Sequence, residues 1–203
     1  MAQTATVFIV DDDAAVRDSL GLLMRSAGLA SETFPDAREF LKNVATDRPG
    51  CLILDVRMPE IDGLELQRQL AARGSRLPII MLTGHGDVPM AVEALRAGAI
   101  DFLTKPFDSQ ALLNRVHEAV ALDERIRQKH VDRDRIRSLL ERLTPRETEV
   151  VDRIVEGLSS KSIAAELGSS LNTVQNQRAS ILRKMQAESV ADLVRLVMIA
   201  RSD

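Results

Sequence analysis

The chain has 203 residues, a formal net charge of -3, 45% hydrophobic and 28% charged residues, which is ordinary for a globular protein and excludes wholesale disorder. A single cysteine excludes an internal disulfide framework and a zinc ribbon. Aromatic residues make up 2%, which argues against a protein that stacks single-stranded bases. We expect a soluble, cytoplasmic protein, because the first ten residues lack a secretory pattern and no apolar run approaches the ~20 residues that cross a bilayer.

The first 123 residues alternate short apolar runs with helical patterns. The helical patterns begin at capping residues such as Asp13, Asp36 and about Asp87, and they stop at Gly28 and Gly98. This alternation predicts a doubly wound α/β domain with a five-stranded parallel sheet, whose functional site lies at the C-terminal strand ends. The predicted strands are Thr6–Val10, Ala30–Phe34, Cys51–Leu54, Ile79–Leu82 and Ile100–Thr104.

The rest of the chain is predicted to be helical. Leu112, Leu113, Val116 and Val120 give a predicted helix one apolar face up to about Leu122, and the charge-dense residues 124–142 are interpreted as a helical linker. Net charge divides in the same way: residues 1–123 carry -6, residues 124–137 carry +3 and residues 138–203 carry 0. The predicted organisation is therefore an α/β domain over 1–123, a linker over 124–142 and an all-α domain over 143–203.

Four helices are predicted in residues 143–203. Thr144 at N-cap, Pro145 at N1 and Glu147 at N3 satisfy three helix-start preferences at once. A short helix from Ser159 ends at Gly168, another starts near residue 172, and a fourth starts at residue 189. The tight turn between the second and third helices is typical of a helix-turn-helix.

Polar side chains follow the strands at their C-terminal ends. Asp11 and Asp12 follow the first strand, Asp55 the third, Thr83 the fourth and Lys105 the fifth. Clustered carboxylates resist full ionisation unless a hard cation lies between them, and Mg²⁺ suits such oxygen ligands. A hydroxyl and an ammonium group beside them complete a cradle for a phosphoryl group. Asp13 is assigned to helix capping instead.

These stretches resemble a response-regulator receiver domain over residues 5–123. The resemblance rests on four stretches in order: Val10–Asp13, Asp55–Pro59 with Asp62 and Gly63, Thr83–Asp87, and Phe102–Phe107. It implies that Asp55 accepts a phosphoryl group from the phosphohistidine of a sensor kinase. It further implies that Asp11, Asp12, Asp55 and the backbone carbonyl of Arg57 hold Mg²⁺. Thr83 and Lys105 would bind phosphoryl oxygens, Phe102 would switch with Thr83, and the Lys105-Pro106 bond would be cis.

The third helix of the all-α domain is the predicted DNA reader. Val174, Ile181, Leu182 and Met185 share one apolar face, opposite a polar and small one. No acidic residue occurs from Ser170 to Ala187, and amide and basic side chains can recognise base edges and phosphates in a major groove. The candidate contact residues are Asn172, Thr173, Gln175, Asn176, Arg178, Ala179, Arg183 and Lys184.

Residues 140–200 look like a LuxR/GerE-type helix-turn-helix. The resemblance rests on Leu143–Glu147, Gly157–Ser159, Lys161–Ala164, Asn172–Val174 and Lys184-Met185. Joined to the receiver, the chain resembles the FixJ branch of the NarL/FixJ response regulators. This implies a transcriptional regulator that is not an enzyme on other substrates, that dimerises when phosphorylated through its helix 4–strand 5 face, and that binds promoter DNA, with RNA polymerase as a further partner. Gln175 and Gln177 replace the Lys and His of many relatives, so no known target sequence transfers.

Two alternatives stay open at this point. A phospho-switched protein whose C-terminal helices bind another protein would carry the same receiver motifs. A metal-dependent aspartyl phosphatase would also use an aspartate nucleophile, although its usual Asp-x-Asp pattern is broken here by Arg57.

Overall fold

The computed structural model describes residues 4–84 and 88–202. Within them, five strands form one parallel sheet in the order β2-β1-β3-β4-β5. The strands are β1 Thr6–Val10, β2 Ala30–Phe34, β3 Gly50–Asp55, β4 Ile79–Thr83 and β5 Asp101–Thr104. All five predicted strands are confirmed, and so is the doubly wound α/β fold. All residues of β1, β3 and β4 are buried because helices cover both faces of the sheet.

Alternation along the strands separates two apolar layers. Phe8 and Val10 of β1 belong to one layer, whereas Val7 and Ile9 belong to the other, since successive side chains point to opposite faces. The helices of this part are α1 Ala14–Ser26, α2 Ala37–Asn43, α3 Gly63–Ala72, α4 Val88–Arg96 and α5 Ser109–Leu140. The predicted start of α4 near Asp87 lies outside the described residues.

Helix α5 is one continuous element of 32 residues. The sequence predicts a helix to about residue 122 and a separate linker helix, but no Gly or Pro interrupts residues 109–140, so nothing in the chain favours a break. Leu112 and Val116 pack into a core layer of the sheet domain. Ile136 and Leu139 belong instead to the core of the C-terminal helices. The chain divides into two compact units, residues 1–126 and 127–203.

Beyond α5, the described residues of the second unit are helical, as predicted. The helices are α6 Pro145–Val155, α7 Ser160–Glu166, α8 Leu171–Met185 and α9 Val190–Arg201. Each begins at a hydroxyl N-cap, namely Thr144, Ser159, Ser170 and Ser189. Gly168 has a φ of 60° in the turn between α7 and α8, a conformation that glycine adopts without strain. None of the helices in the described ranges is long and apolar enough to span a membrane.

Candidate functional site

The C-terminal edge of the sheet carries the polar side chains expected there. Asp55 and Thr83 are the last residues of β3 and β4, while Asp11 and Lys105 directly follow β1 and β5. In the parallel register, Asp55 lies opposite Leu82 and Thr83 lies opposite Thr104. The four side chains therefore leave neighbouring strands at one edge, although they are spread over 95 positions of sequence from 11 to 105.

Lys105 joins two buried carboxylates. Its Nζ donates to Oδ2 of Asp11 and to Oδ1 of Asp55, both at 2.6 Å. The side chains of Asp11 and Asp55 are 2% and 7% exposed, whereas that of Lys105 is 22% exposed. Lys105 is thus the most exposed of the three side chains, and its ammonium group offsets one of the two carboxylate charges.

The charge balance of this cluster shifts the pKa values of its members. Burial raises the pKa of Asp55, since its charged form loses hydration, and the contacts with Lys105 and with the backbone N–H of Arg57 only partly offset this. The neighbouring charge of Asp11 raises it further. Burial lowers the pKa of Lys105, but hydrogen bonds to Asp11 and Asp55 outweigh it and leave a raised pKa. The site therefore holds more negative charge than one lysine can neutralise.

The remaining predicted residues of the acidic site lie at its rim. Arg57 donates its backbone N–H to Oδ2 of Asp55 at 2.7 Å. Asp12 is exposed and lines, with Arg57, Met58 and neighbouring residues, a groove of about 440 Å³. Asp13 caps α1 by accepting from the backbone N–H of Ala15 at 2.8 Å, as the sequence predicts.

The donor chemistry of this edge fits Mg²⁺. Carboxylate oxygens of Asp11 and Asp55 converge on one cation, Lys105, and the carboxylate of Asp12 lies one residue along the chain. Oxygen ligands of this kind are those that Mg²⁺ prefers. Among the described residues, no three or more His, Cys, Asp or Glu side chains are already grouped as a metal site. Binding of Mg²⁺ would therefore require the carboxylates of Asp11 and Asp55 to contact the metal ion and not Lys105 alone.

The loop after β3 is held close to the site by a glycine. A Cβ on Gly63 would lie 2.3 Å from the carbonyl oxygen of Asp55 and 2.9 Å from Cα of Val56, so no side chain fits there. The N–H of Gly63 donates to the carbonyl of Val56, and Asp62 caps α3. These contacts fix the backbone that carries Asp55.

Thr83 and Phe102 occupy neighbouring strands. Thr83 is fully buried, and Phe102 is partly buried against the apolar layer that contains Phe8. Phe102 lies opposite Met81 in the register, two residues before Thr83. The Lys105-Pro106 peptide bond is cis, which confirms that expectation. Residues 85–87, part of the motif after Thr83, lie outside the described residues.

In the second unit, α8 presents the polar face expected of a reader. Asn172, Gln175, Asn176, Ala179 and Arg183 are exposed. Val174, Ile181 and Met185 are fully buried on the other side, and Leu182 is partly buried against the same core. The helix begins one residue earlier than predicted, since the N-cap is Ser170.

Three of the candidate DNA-contact residues are hydrogen-bonded within the protein or only partly exposed. The hydroxyl of Thr173 pairs with that of Ser170 at 2.8 Å, and Arg178 is only partly exposed. Nζ of Lys184 donates to Oε2 of Glu147 at 2.6 Å. The sequence pattern identifies Glu147 only as a cap residue, because its burial, which calls for a second partner, becomes visible only in the structure.

Comparison with known proteins identifies both units. The response regulator receiver domain family matches residues 7–117, and the family of bacterial regulatory proteins of the luxR type matches residues 141–197. The chain belongs to the NarL/FixJ response regulators. It is 42% identical over 200 residues to the transcriptional regulatory protein FixJ of Bradyrhizobium diazoefficiens, covering 98% of each. It is 45% identical over 192 residues to nodulation protein W of the same species, covering 95% of this chain and 85% of that protein.

Solved structures agree with this assignment. The low-resolution structure of the response regulator StyR has a TM-score of 0.84 and 45% identity, covering 96% of this chain and 98% of that one. Full-length FixJ from B. japonicum has a TM-score of 0.59 and 41% identity, covering 98% of both chains. This response regulator is a DNA-binding transcriptional regulator of a two-component system, with a kinase as its upstream partner and DNA as its target.

Proposed function

We propose that this response regulator accepts a phosphoryl group on Asp55 from a sensor histidine kinase and then binds promoter DNA as a dimer. The observation that carries the proposal is the convergence of Asp55, Asp11 and Lys105 at one sheet edge, with 2.6 Å contacts to the lysine. Under this proposal residues 1–123 act as the receiver, residues 124–142 as a helical linker and residues 143–203 as the DNA-binding domain.

In the transfer step, a carboxylate oxygen of Asp55 attacks the phosphorus of the phosphohistidine. A P–O bond forms as the P–N bond breaks, and the imidazole leaves with the electron pair of the broken bond. Lys105 stabilises the negative charge of the phosphoryl oxygens, and Thr83 donates its hydroxyl to one of them. Asp11, Asp12, Asp55 and the backbone carbonyl of Arg57 are the proposed ligands of Mg²⁺, which when bound neutralises the charge between carboxylates and phosphoryl group.

The proposed output runs through the α4–β5 face. Thr83 moves toward the phosphoryl group, Phe102 turns inward, and the surface of α4 up to Arg96 changes shape. Val92 and Leu95 are exposed apolar side chains on α4, at 41% and 47%, and burial of such a face favours association of two chains. A symmetric dimer then places two α8 helices on a pseudo-palindromic site.

The proposed DNA contacts are made by the exposed face of α8. Asn172, Gln175 and Asn176 carry amides that can pair with adenine, and Arg183 can reach guanine or phosphate. We place this activity in the cytoplasm, where bacterial promoter DNA lies, and RNA polymerase is a proposed further partner. The only chemistry assigned to the chain is gain and loss of its own phosphoryl group.

Selection from a random duplex pool tests this proposal. Phosphorylated wild-type protein is expected to enrich a two-fold symmetric motif, whereas Asp55→Asn treated identically is expected to enrich none. Equal enrichment by both proteins would contradict phosphorylation as the gate. No enrichment by either would contradict DNA binding and would favour a protein partner for residues 143–203.

A further inference from the structure

We infer that Arg146 and Glu147 are positioning residues that hold the DNA-reading helix at both ends, and that Lys184 serves in this clamp rather than as a phosphate contact. The inference rests on the proposed DNA-reading role of α8. It concerns the start of α6, where Thr144, Pro145, Arg146 and Glu147 stand in sequence. None of these residues lies on the exposed reading face itself.

Glu147 is the centre of the clamp. Its side chain is 8% exposed and both of its carboxylate oxygens are occupied. Oε2 accepts from the backbone N–H of Thr144 at 2.8 Å and from Nζ of Lys184 at 2.6 Å, while Oε1 accepts from the hydroxyl of Ser180 at 2.9 Å. A capping box needs only the first of these contacts, so the other two are additional links to α8.

The links fall one turn apart near the end of the reading helix. Ser180 and Lys184 are four residues apart, so both point to the same side of α8. Arg183, next to Lys184, is exposed and belongs to the polar face, about a quarter turn around the helix from Lys184. Two neighbouring basic residues therefore have different surroundings, one beside a buried carboxylate and one facing water.

Arg146 contacts the turn that precedes the N-terminal end of α8. Its Nη2 donates to the carbonyl of Leu167, the C-cap of α7, and to the hydroxyl of Ser169 at 3.0 Å. Ser169 directly precedes Ser170, the N-cap of α8. Two adjacent residues of α6 thus hold the turn before α8 and the last turns of α8.

This arrangement fixes the angle at which the reading face is presented. Base recognition depends on side chains held within about 0.5 Å of their productive geometry by supporting contacts. Loss of a link at one end lets α8 tilt, which misaligns base contacts more than contacts with phosphate, since phosphates lie all along the groove. The clamp should therefore govern discrimination between sequences, whereas Arg183 should govern the electrostatic part of affinity.

The test measures the salt dependence of affinity and the preference for a selected duplex over a scrambled one, using the full chain. Each phosphate contact contributes about one unit to the slope of log affinity against log salt. We expect Arg183→Met to reduce the slope by about one. We expect Lys184→Met to leave the slope as in the wild type but to lower the preference roughly tenfold, the effect of losing one charge-assisted hydrogen bond.

Matched variants distinguish a loss of helix positioning from a loss of folding. Glu147→Gln should lower the preference as Lys184→Met does, while Glu156→Gln, whose side chain is 51% exposed and pairs with Arg153 outside the clamp, should not. Ser180→Ala removes a single link and should give a smaller loss with unchanged helicity by circular dichroism. If Glu147→Gln unfolds, Ser180→Ala still tests the inference.

Two results would overturn the inference and leave the proposed DNA binding intact. A slope reduced as much by Lys184→Met as by Arg183→Met, with sequence preference intact, would make Lys184 a phosphate contact. Unchanged preference in folded Lys184→Met and Ser180→Ala would leave the clamp without a role in recognition. If the wild type itself prefers no duplex, the proposed DNA-binding function fails and this inference fails with it.

Discussion

Among the described residues, Lys105 and Lys184 are both paired with buried carboxylates, and the two sites differ in the ratio of buried acids to hydrogen-bond donors. At the sheet edge, one lysine, Lys105, serves two buried acids, and burial raises the pKa of Asp55. In the second unit, one buried acid, Glu147, receives hydrogen bonds from Lys184, Ser180 and Thr144.

The pKa of Glu147 shows the consequence. Burial alone would raise it, but the contacts with Lys184, the backbone and hydroxyl of Thr144, and Ser180 together lower it to about 2. A lysine–carboxylate ion pair is therefore part of two different kinds of site. The site in the first unit is unsaturated, because its buried acids outnumber the lysine, whereas the site in the second unit is saturated, because several donors serve one acid. An unsaturated site can take up a cation and a phosphoryl group, whereas a saturated one holds helices in place.

The largest expected effect comes from removing the acceptor at the unsaturated site. Asp55→Asn should abolish phosphorylation, because an amide cannot form the acyl phosphate. Intact-mass spectrometry after incubation with acetyl phosphate and Mg²⁺ measures this directly. Asp36→Asn is the matched control, since asparagine caps α2 as well as aspartate does, and it should be phosphorylated like the wild type. Full phosphorylation of Asp55→Asn would place the acceptor elsewhere.

The two lysines provide a direct comparison of stability. Lys105→Met should lower the free energy of unfolding of the first unit by about 3 kcal/mol in the absence of divalent cations, because two buried carboxylates lose their shared partner. Lys184→Met should cost the second unit about 1–2 kcal/mol, since Glu147 keeps its other donors. Hydrogen exchange resolved by mass spectrometry reports on each unit separately.

Added Mg²⁺ sharpens this comparison. It should recover part of the stability of Lys105→Met and none of that of Lys184→Met. The exposed residue Lys161 supplies a control, and Lys161→Met should change stability by less than about 0.5 kcal/mol. Equal losses at Lys105 and Lys184 would contradict the distinction between the two sites.

Acid should loosen the second unit through Glu147. Its folded pKa of about 2 lies below the ordinary value of 4.5, so its contribution is complete above about pH 4.5 and is lost as pH falls through about 2. That contribution is on the order of 2 kcal/mol. The stability difference between wild type and Glu147→Gln should therefore shrink over this range, in acid titrations followed by circular dichroism. A difference independent of pH would contradict a charged Glu147, and Glu149→Gln controls for general acid effects.

The smallest effect is expected at an exposed ion pair. Arg38 and Glu60 contact at 2.7 Å, but their side chains are 70% and 59% exposed. Arg38→Gln should change the free energy of unfolding by less than about 0.5 kcal/mol, because solvent screens such pairs. Urea denaturation measures this, and a loss as large as that of Lys184→Met would show that burial is not what distinguishes these pairs.

Sequence patterns predicted most of the fold because strand runs, caps and glycines are local signals. The box at Thr144 and Glu147 is one such signal, and both of its reciprocal bonds are present. The order of polar residues after the strands also predicted their shared edge, since parallel strands bring their ends together.

The remaining features depend on contacts between distant residues. The hydrogen bond from Lys184 to Glu147 is one example, since the two residues lie 37 positions apart and no local pattern reports their pairing. In the same way, the bridge from Lys105 to Asp11 spans 94 residues. The continuity of α5 through residue 122 was missed because the apolar face changes there while helix propensity does not.

The central claim is that phosphorylation of Asp55 controls DNA binding by the second unit. Affinity for the selected duplex, measured by titration with and without acetyl phosphate and Mg²⁺, tests it most directly. We predict that phosphorylation tightens binding by wild-type protein about tenfold or more and leaves Asp55→Asn unchanged. Equal affinities of phosphorylated and unphosphorylated wild-type protein would contradict the claim.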